Sequence, residues 1–172
     1  MTDTFRSERL NLARHDVAGF SCGQPELDTW LRQHAATAHK RGTARTWVWL
    51  DAENVVAGYY ALAAHKISRA DIPTAIGRGG PVEIPAVLLA KLALARHLHG
   101  QGLGAVLVAD ALERIVAATQ TVAARLVVVD AITEDAARFY QTVGFRRIPD
   151  SLRLVQKIAD IEAALTPTKL DA

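Results

Sequence analysis

The chain is nearly free of cysteine. Cys22 stands alone among 172 residues, which excludes an intrachain disulfide and suits a reducing cytoplasm. Long apolar runs are missing too. No stretch approaches the roughly 20 apolar residues that a membrane-spanning helix needs, and Met1-Thr2-Asp3-Thr4-Phe5-Arg6-Ser7-Glu8 lacks the apolar core of a signal peptide. These absences predict a soluble, cytoplasmic protein without membrane association. There is no repeat, low-complexity tract or interdomain linker. With half of its residues hydrophobic, the chain predicts one domain over 1–172, large enough to bury a core unaided. His97 and His99 lie close together, but no further clustered ligands accompany them, so no metal is predicted.

Acid is absent from two stretches. Between Arg32 and Leu50 the charges are Arg32, Lys40, Arg41 and Arg45; between Ile84 and Ala109 they are Lys91 and Arg96, with His97 and His99 alongside. A net charge of +2 says nothing about nucleic acid, and scattered cations are ordinarily solvated helix faces or loop edges.

What is present reads as alternating elements. Leu27, Trp30, Leu31, Ala35 and Ala38 recur at helical spacing, with Pro25 in the first turn, predicting a helix over 25–41. Strand-like runs over 43–50 and 55–64 flank the polar Asp51-Ala52-Glu53-Asn54, a hairpin signal. Gly77-Arg78-Gly79-Gly80-Pro81 predicts an exposed, mobile loop carrying an arginine, neither helix nor central strand. Beyond it, 86–95 predicts a buried strand, 103–118 a helix and 126–129 a second buried strand. Thr133 can cap a further helix, with Glu134 and Asp135 facing its positive end. Gly144 would close that helix in a left-handed conformation with Phe145 packed behind it. A strand over 152–157 and a helix over 158–165 follow, and 166–172 is expected to fray. The order β-α-β-β-(loop)-β-α-β-α-β predicts a mixed α/β fold, one central mixed sheet flanked by helices.

The strongest chemical signal is a strand, then His99-Gly100-Gln101-Gly102-Leu103-Gly104-Ala105, then a helix. Three near-adjacent glycines there let backbone N–H groups converge at the helix's positive end, which suits a pyrophosphate. Gly100, Gly102 and Ala105 also fit the dinucleotide fingerprint, with Asp130 ending a strand downstream; a plain tight turn is a third reading. Position argues against the dinucleotide reading. The fingerprint follows its strand directly, whereas Arg96-His97-Leu98-His99 intervenes here, and too little chain follows Asp130 for a doubly wound sheet.

Leu92-Ala93-Leu94, Gly100-x-Gly102-x-Gly104, Asp130-Ala131 and Ala137-x-Phe139-Tyr140-x-x-x-Gly144-Phe145 together resemble, in order and spacing, the core of the GNAT N-acetyltransferases, over about 86–147. GNAT enzymes usually carry Arg or Gln where His99 stands; the departure weakens a side-chain contact and leaves the backbone cradle intact. The resemblance implies the acyl-CoA N-acyltransferase fold and acetyl-CoA as cosubstrate. It places the cofactor against Leu92, Ala93, Leu94, His99, Gly100, Gln101, Gly102, Leu103, Gly104, Ala105, Ala131, Ala136 and Phe139. It also implies two catalytic positions: the Leu94 backbone N–H as oxyanion donor and Tyr140 as the group serving the leaving sulfur. Without that context Tyr140 would read as an ordinary helix residue.

In the N-terminal half, Phe20-Ser21-Cys22-Gly23, Leu27-Asp28-x-x-Leu31, Ala35 and Ala38, Thr46-x-Val48 and Gly58-Tyr59-Tyr60-Ala61-Leu62 resemble the GNAT toxins of type II toxin–antitoxin modules. That resemblance implies acetylation of the α-amino group of aminoacyl-tRNA and a block of translation. It further implies a homodimer and a small ribbon-helix-helix antitoxin partner, with operator DNA bound only through the antitoxin. Arg41, Arg45, Lys66, Arg78, Lys91 and Arg96 are then the expected tRNA contacts. A non-toxic acetyltransferase of a small amine or protein N-terminus stays open, as does a dinucleotide-binding or non-catalytic binding protein. Cys22 reads as a small packing residue rather than a nucleophile, and Trp30, Trp47 and Trp49 as core or sheet-face residues.

Overall fold

A computed structural model describes residues 5–165; the expected fraying of 166–172 lies outside the described residues. Seven strands form one mixed sheet in the order β1-β2-β3-β4-β5-β7-β6. They are β1 (Arg6–Arg9), β2 (Arg45–Leu50), β3 (Val56–Ser68), β4 (Glu83–Leu94), β5 (Leu126–Asp130), β6 (Arg146–Arg147) and β7 (Arg153–Lys157). The helices are α1 (Pro25–Thr29), α2 (Ala35–Arg41), α3 (Thr74–Gly77), α4 (Leu103–Thr119), α5 (Glu134–Thr142) and α6 (Ile158–Leu165). The β1–β2–β3 pairs are antiparallel, β4 and β5 run parallel, and β5–β7–β6 is again antiparallel. The mixed α/β class read from the sequence therefore holds. No helix among the described residues is long and apolar enough to cross a membrane. Packing groups the chain into two units, one of residues up to Ala64 with Leu89–Ala111, the other of His65–Leu88 with the residues from Leu112 onward.

In the first unit, α1 and α2 are joined through a π turn over Trp30–His34, closed by the Ala35 N–H donating to the Trp30 carbonyl. The helix expected over 25–41 is thus present but widened in its middle. A side chain distant in sequence meets the helix just before this turn. The Tyr59 hydroxyl donates to the Leu27 carbonyl at 2.7 Å, and its ring stacks on Trp30 at 6.0 Å. Leu31, within that turn, and Ala35, just after it, are both wholly buried with Val48, Leu50 and Tyr59. Trp47 and Trp49 pack on Tyr60 and Phe5, as sheet-face residues should.

The hairpin between β2 and β3 forms as its sequence suggests. Asp51 Oδ1 accepts the N–H groups of Glu53 and Val55, and Asn54 adopts a left-handed φ of 64°. Its register carries an irregularity that no composition signalled: Trp49 opposes Gly58 whereas Leu50 opposes Val56. Ala57 is left over as a bulge. Its carbonyl accepts the Ala95 N–H at 2.8 Å, just past the end of β4.

The second unit has its own core of Ile67, Ile72, Ile76, Ile84, Ala86, Leu126, Val128 and Val155. Parallel pairing of Ala86 with Leu126 and Leu88 with Val128 is extended by the Arg125 N–H donating to the Pro85 carbonyl. Three expectations change here. β4 begins at Glu83 and alternates, with Ile84 and Ala86 buried and Glu83 and Pro85 exposed, so it is not buried throughout. β3 continues to Ser68 because Ile67 supplies another inward apolar residue. The glycine segment is only partly an exposed loop. Gly77 ends α3 and is buried, and Gly80 is buried near the Arg125 guanidinium; Arg78, Gly79 and Pro81 are the exposed members.

Gly58 sets the closest backbone approach in the first unit. A Cβ there would lie 2.9 Å from the Ala93 carbonyl oxygen and 3.1 Å from a Leu107 methyl. Gly58→Ala should therefore destabilise the fold by about 1–3 kcal/mol, the usual cost of overpacking, as measured by denaturant unfolding. A variant as stable as the wild type would show that the approach is loose.

Candidate functional site

The residues singled out in the sequence fall into two groups, one in each unit. In the first, β4 ends at Leu92-Ala93-Leu94, with Ala93 and Leu94 buried and Leu92 half-buried. Past Leu94 the chain leaves the ladder. The Ala95 N–H goes to Ala57, and the Arg96 N–H to the Ser21 carbonyl at 2.8 Å. Arg96–Leu98 then forms a single 3₁₀ turn, which accounts for the residues that broke the dinucleotide pattern. His99 follows, with its Nε2 2.8 Å from the Leu94 carbonyl. A carbonyl can only accept, so Nε2 carries the proton and donates.

Gly100 and Gly102 have φ of +79° and +77°, the left-handed region that glycine enters without steric cost. An added Cβ at either would meet nothing within 4 Å, and both are exposed. The backbone here is bent by the chain itself and faces open space a ligand can occupy. It leads straight into Leu103–Thr119, a 17-residue helix whose positive end complements an anion. Gly104 lies in that helix's first turn, with Ala105 beside it. These residues fit the diphosphate of a nucleotide cofactor through backbone N–H groups.

In the second unit, Ala131 is buried at the end of β5 and donates its N–H to the Leu152 carbonyl at 2.9 Å. Thr133 caps α5 through its hydroxyl, which accepts the Ala136 N–H at 3.1 Å; Glu134 and Asp135 occupy the first turn. Ala136 and Phe139 are half-buried. Tyr140 is buried, its ring 5.3 Å from that of Phe139 and 5.5 Å, edge to face, from that of Phe145. Phe145 is held there by its N–H donating to the Tyr140 carbonyl at 3.0 Å, after Gly144 at φ 100°. Burial alone pushes the Tyr140 phenol well above its ordinary range and keeps it protonated, a donor at any physiological pH.

Asp130 has a different role from the ribose ligand that a dinucleotide fingerprint would require. Both its oxygens are taken by Arg153, at 2.7 and 2.9 Å, and that hydrogen-bonded guanidinium holds its carboxyl below the usual range. The Arg153 Nη1 also lies 3.4 Å from His65 Nε2; partial burial, then Arg153, lower the His65 pKa. Sequence reasoning missed this trio because its members are spread over β3, β5 and β7, and only their pairing shows it.

The cations expected to meet nucleic acid are similarly divided. Arg41, Arg45 and Arg96 are exposed in the first unit, with the Arg45 guanidinium partly engaged by the His39 carbonyl and Arg96 beside Gly23. Lys91 is half-buried with its ammonium 5.9 Å from the Trp30 ring. In the second unit Arg78 is exposed, while Lys66 is paired with Glu83 at 3.1 Å. Arg32, also noted in the sequence, donates to the Phe20 carbonyl at 2.9 Å and holds the chain before α1.

Cys22 is buried, its N–H donating to Asp28 at 2.9 Å. Burial first, and the neighbouring Asp28 second, push its thiol up to about 11. A thiol so placed is a poor nucleophile.

A glycine cradle between a strand and a long helix, in a mixed α/β sheet, suits a protein that takes a phosphate-bearing cofactor. Comparison with known proteins makes the class specific. Residues 22–162 match the acetyltransferase (GNAT) domain, and the chain belongs to the GNAT acetyltransferase family. It is similar to a tRNA-acetylating toxin of Mycobacterium tuberculosis (strain ATCC 25618 / H37Rv), at 37% identity over 151 residues, 87% of this chain and 90% of that protein. Among solved structures it resembles the toxin AtaT complexed with acetyl-methionyl-tRNAfMet, with a TM-score of 0.85 and 30% identity over 95% of this chain and all of that one. It also resembles a tyrosine-to-phenylalanine variant of AtaT bound to acetyl-CoA and the C-terminus of the antitoxin AtaR, with a TM-score of 0.80 and 29% identity over 95% of this chain and 99% of that one.

With its thiol at about 11, Cys22 should react with iodoacetamide at pH 8 about 10²-fold more slowly in the folded protein than in the unfolded chain, whose thiols titrate near 8.5. The folded rate should climb only toward pH 11, and Cys22→Ala should keep acetyl transfer. Equally fast alkylation of both states would return Cys22 to the list of reactive groups.

Proposed function

We propose that this chain uses acetyl-CoA to acetylate the α-amino group of aminoacyl-tRNA, and so blocks translation as the toxin of a toxin–antitoxin pair. The observation that carries the transferase chemistry is the open, left-handed cradle at Gly100 and Gly102, continuous with α4. Its direction toward charged tRNA rests on the likeness to the mycobacterial tRNA-acetylating toxin and to AtaT with its acetylated tRNA.

When bound, acetyl-CoA supplies an activated acetyl thioester. His99 to Ala105 would hold its diphosphate through the loop backbone, with Leu92, Ala93, Ala131, Ala136 and Phe139 lining its remaining length. The Leu94 N–H would donate to the carbonyl oxygen that gains negative charge as the amine attacks, in the manner of an oxyanion hole. Tyr140 would hydrogen-bond the departing sulfur. A phenol of pKa about 10 is a weaker acid than a thiol of about 8.5, and burial weakens it further. Full proton transfer to the sulfur is therefore uphill, and the hydroxyl's contribution is a hydrogen bond to charge as it develops. No strong base is required, because a free α-amino group has a pKa of roughly 7.7–8.0 and the adjacent ester lowers it further. The substrate is substantially neutral at physiological pH, which a lysine side chain would not be.

The remaining assignments belong to the same reading. The chain is one acetyltransferase domain acting in the cytoplasm, as a homodimer, opposed by a ribbon-helix-helix antitoxin through which alone it meets operator DNA. Arg41, Arg45, Arg78, Lys91 and Arg96 serve the tRNA phosphates, with Lys66 the least available because of Glu83.

Two measurements test this. Tyr140→Phe removes one hydroxyl from a buried ring, so fold and acetyl-CoA affinity should persist while turnover falls by about 10²–10⁴-fold and growth arrest on expression is lost; near wild-type turnover would leave Tyr140 as packing alone. Separately, transfer to charged tRNA should weaken steeply between low and physiological salt, and charge reversal at Arg78 or Arg96 should impair it without changing acetyl-CoA binding. Efficient, salt-insensitive acetylation of a free small amine, with charged tRNA untouched, would overturn the substrate assignment.

A further inference from the structure

We infer that His99 is a positioning residue for the acetyl-transfer step, acting through the Leu94 backbone rather than on the cofactor's phosphates. The inference rests on the oxyanion role proposed above for the Leu94 N–H.

His99 opens the glycine loop, yet its imidazole is turned back five residues to the end of β4. Its Nε2–H donates to the Leu94 carbonyl at 2.8 Å. The next amide along, the Ala95 N–H, donates to the Ala57 bulge carbonyl at 2.8 Å. Both polar groups of the Leu94–Ala95 peptide are thereby engaged, one by His99 and one by β3. On the other side of Leu94, the Ala93 carbonyl lies 2.9 Å from the position a Gly58 Cβ would take. Gly58 therefore admits the Ala93–Leu94 peptide, the unit that contains the Leu94 N–H, to a place no other residue would allow.

A backbone donor stabilises an oxyanion only if it is aimed beforehand, because reorientation during the reaction would consume the stabilisation it offers. At the end of β4 the Ala95 N–H still reaches across to Ala57 of β3, and the His99 imidazole adds a second hold on the same peptide. Protonation of the ring adds a proton at Nδ1 and leaves the Nε2–H···O bond in place, so the clamp works in either charge state. With Nε2 committed to Leu94, phosphate binding falls to the loop's N–H groups.

The test separates the two jobs a loop-opening side chain can have. Acetyl-CoA affinity is measured by calorimetry, and kcat with saturating acetyl-CoA and the amine substrate, for the wild type, His99→Ala and His99→Gln. His99→Ala should lower kcat by about 10–10²-fold, in line with the loss caused by a misplacement of about 1 Å, with acetyl-CoA affinity within twofold and the melting temperature little changed. His99→Gln, whose amide N–H can reach the place of Nε2–H, should recover most of that kcat. A tenfold weaker acetyl-CoA affinity in His99→Ala with kcat intact would overturn the inference and assign His99 to the phosphates. An unchanged kcat together with unchanged affinity would overturn it as well. Leu94→Pro, which removes the N–H itself, distinguishes the failures: if it turns over normally, the oxyanion reading falls; if it is inactive while His99→Ala is fully active, only the role of His99 falls.

Discussion

The first unit is organised around one hydrogen bond, from the Ala95 N–H to the Ala57 carbonyl. It exists because β3 carries an extra residue opposite the Trp49–Leu50 step. In a regular ladder the Ala57 carbonyl would be spent within the hairpin. The bulge frees it to hold β4 where that strand ends. From this anchored point the chain can turn through Arg96–Leu98, send His99 back to Leu94, and open at Gly100 and Gly102 into α4. Gly58, next to the bulge, is as necessary as the bulge itself, since a side chain there would press on the Ala93 carbonyl and Leu107.

Burial acts on two titratable side chains with opposite functional consequences. Cys22 and Tyr140 are both pushed upward chiefly by loss of solvent. For a cysteine nucleophile this is disabling, because the thiolate is the reactive form. Asp28, hydrogen-bonded to the Cys22 N–H, adds negative charge and suppresses ionisation further. For a tyrosine needed as a donor the same shift is favourable, because it keeps the hydroxyl protonated. The aromatic neighbours Phe139 and Phe145 supply the apolar surroundings without offering the phenol a charge, so burial is the cause that acts at Tyr140.

What the sequence made legible follows from how local each determinant is. The Thr133 cap, the α5 helix, Gly144 and the packing of Phe145 depend on residues within a dozen positions, and all appear as read. The glycine loop and α4 are equally local. The π turn at Trp30–His34 was not signalled, and the Tyr59 hydroxyl that meets the helix just before it reaches a carbonyl 32 residues earlier. The bulge at Ala57 has no compositional mark, and β1 and β6 are too short to show a period. The Gly77–Pro81 segment misled for a different reason. Glycine and proline forbid regular structure only over a run, and here Gly77 still closes a turn of helix while Gly80 packs near Arg125. For the candidate site, the glycine bend was legible and the side-chain partners were not. The sequence offered Lys66 as a tRNA contact and Asp130 only as the acid a dinucleotide fingerprint would need, and each is paired with a residue on another element.

The exchange of the usual Arg or Gln for His99 shows how a side-chain change can preserve a backbone function. An anion at a glycine loop is held largely by N–H groups and the helix end, contacts made by any sequence that adopts the bend. The side chain at the loop's first position is then free to take another task, provided the bend survives. A long cation there would be drawn toward bound phosphate. An imidazole is shorter and planar, and can place a single N–H donor on a fixed carbonyl with few rotatable bonds to immobilise. Its 2.8 Å contact with Leu94 couples the mouth of the cradle to the end of β4. The loop proposed to hold the cofactor and the peptide proposed to face the oxyanion are thus tied together by one side chain.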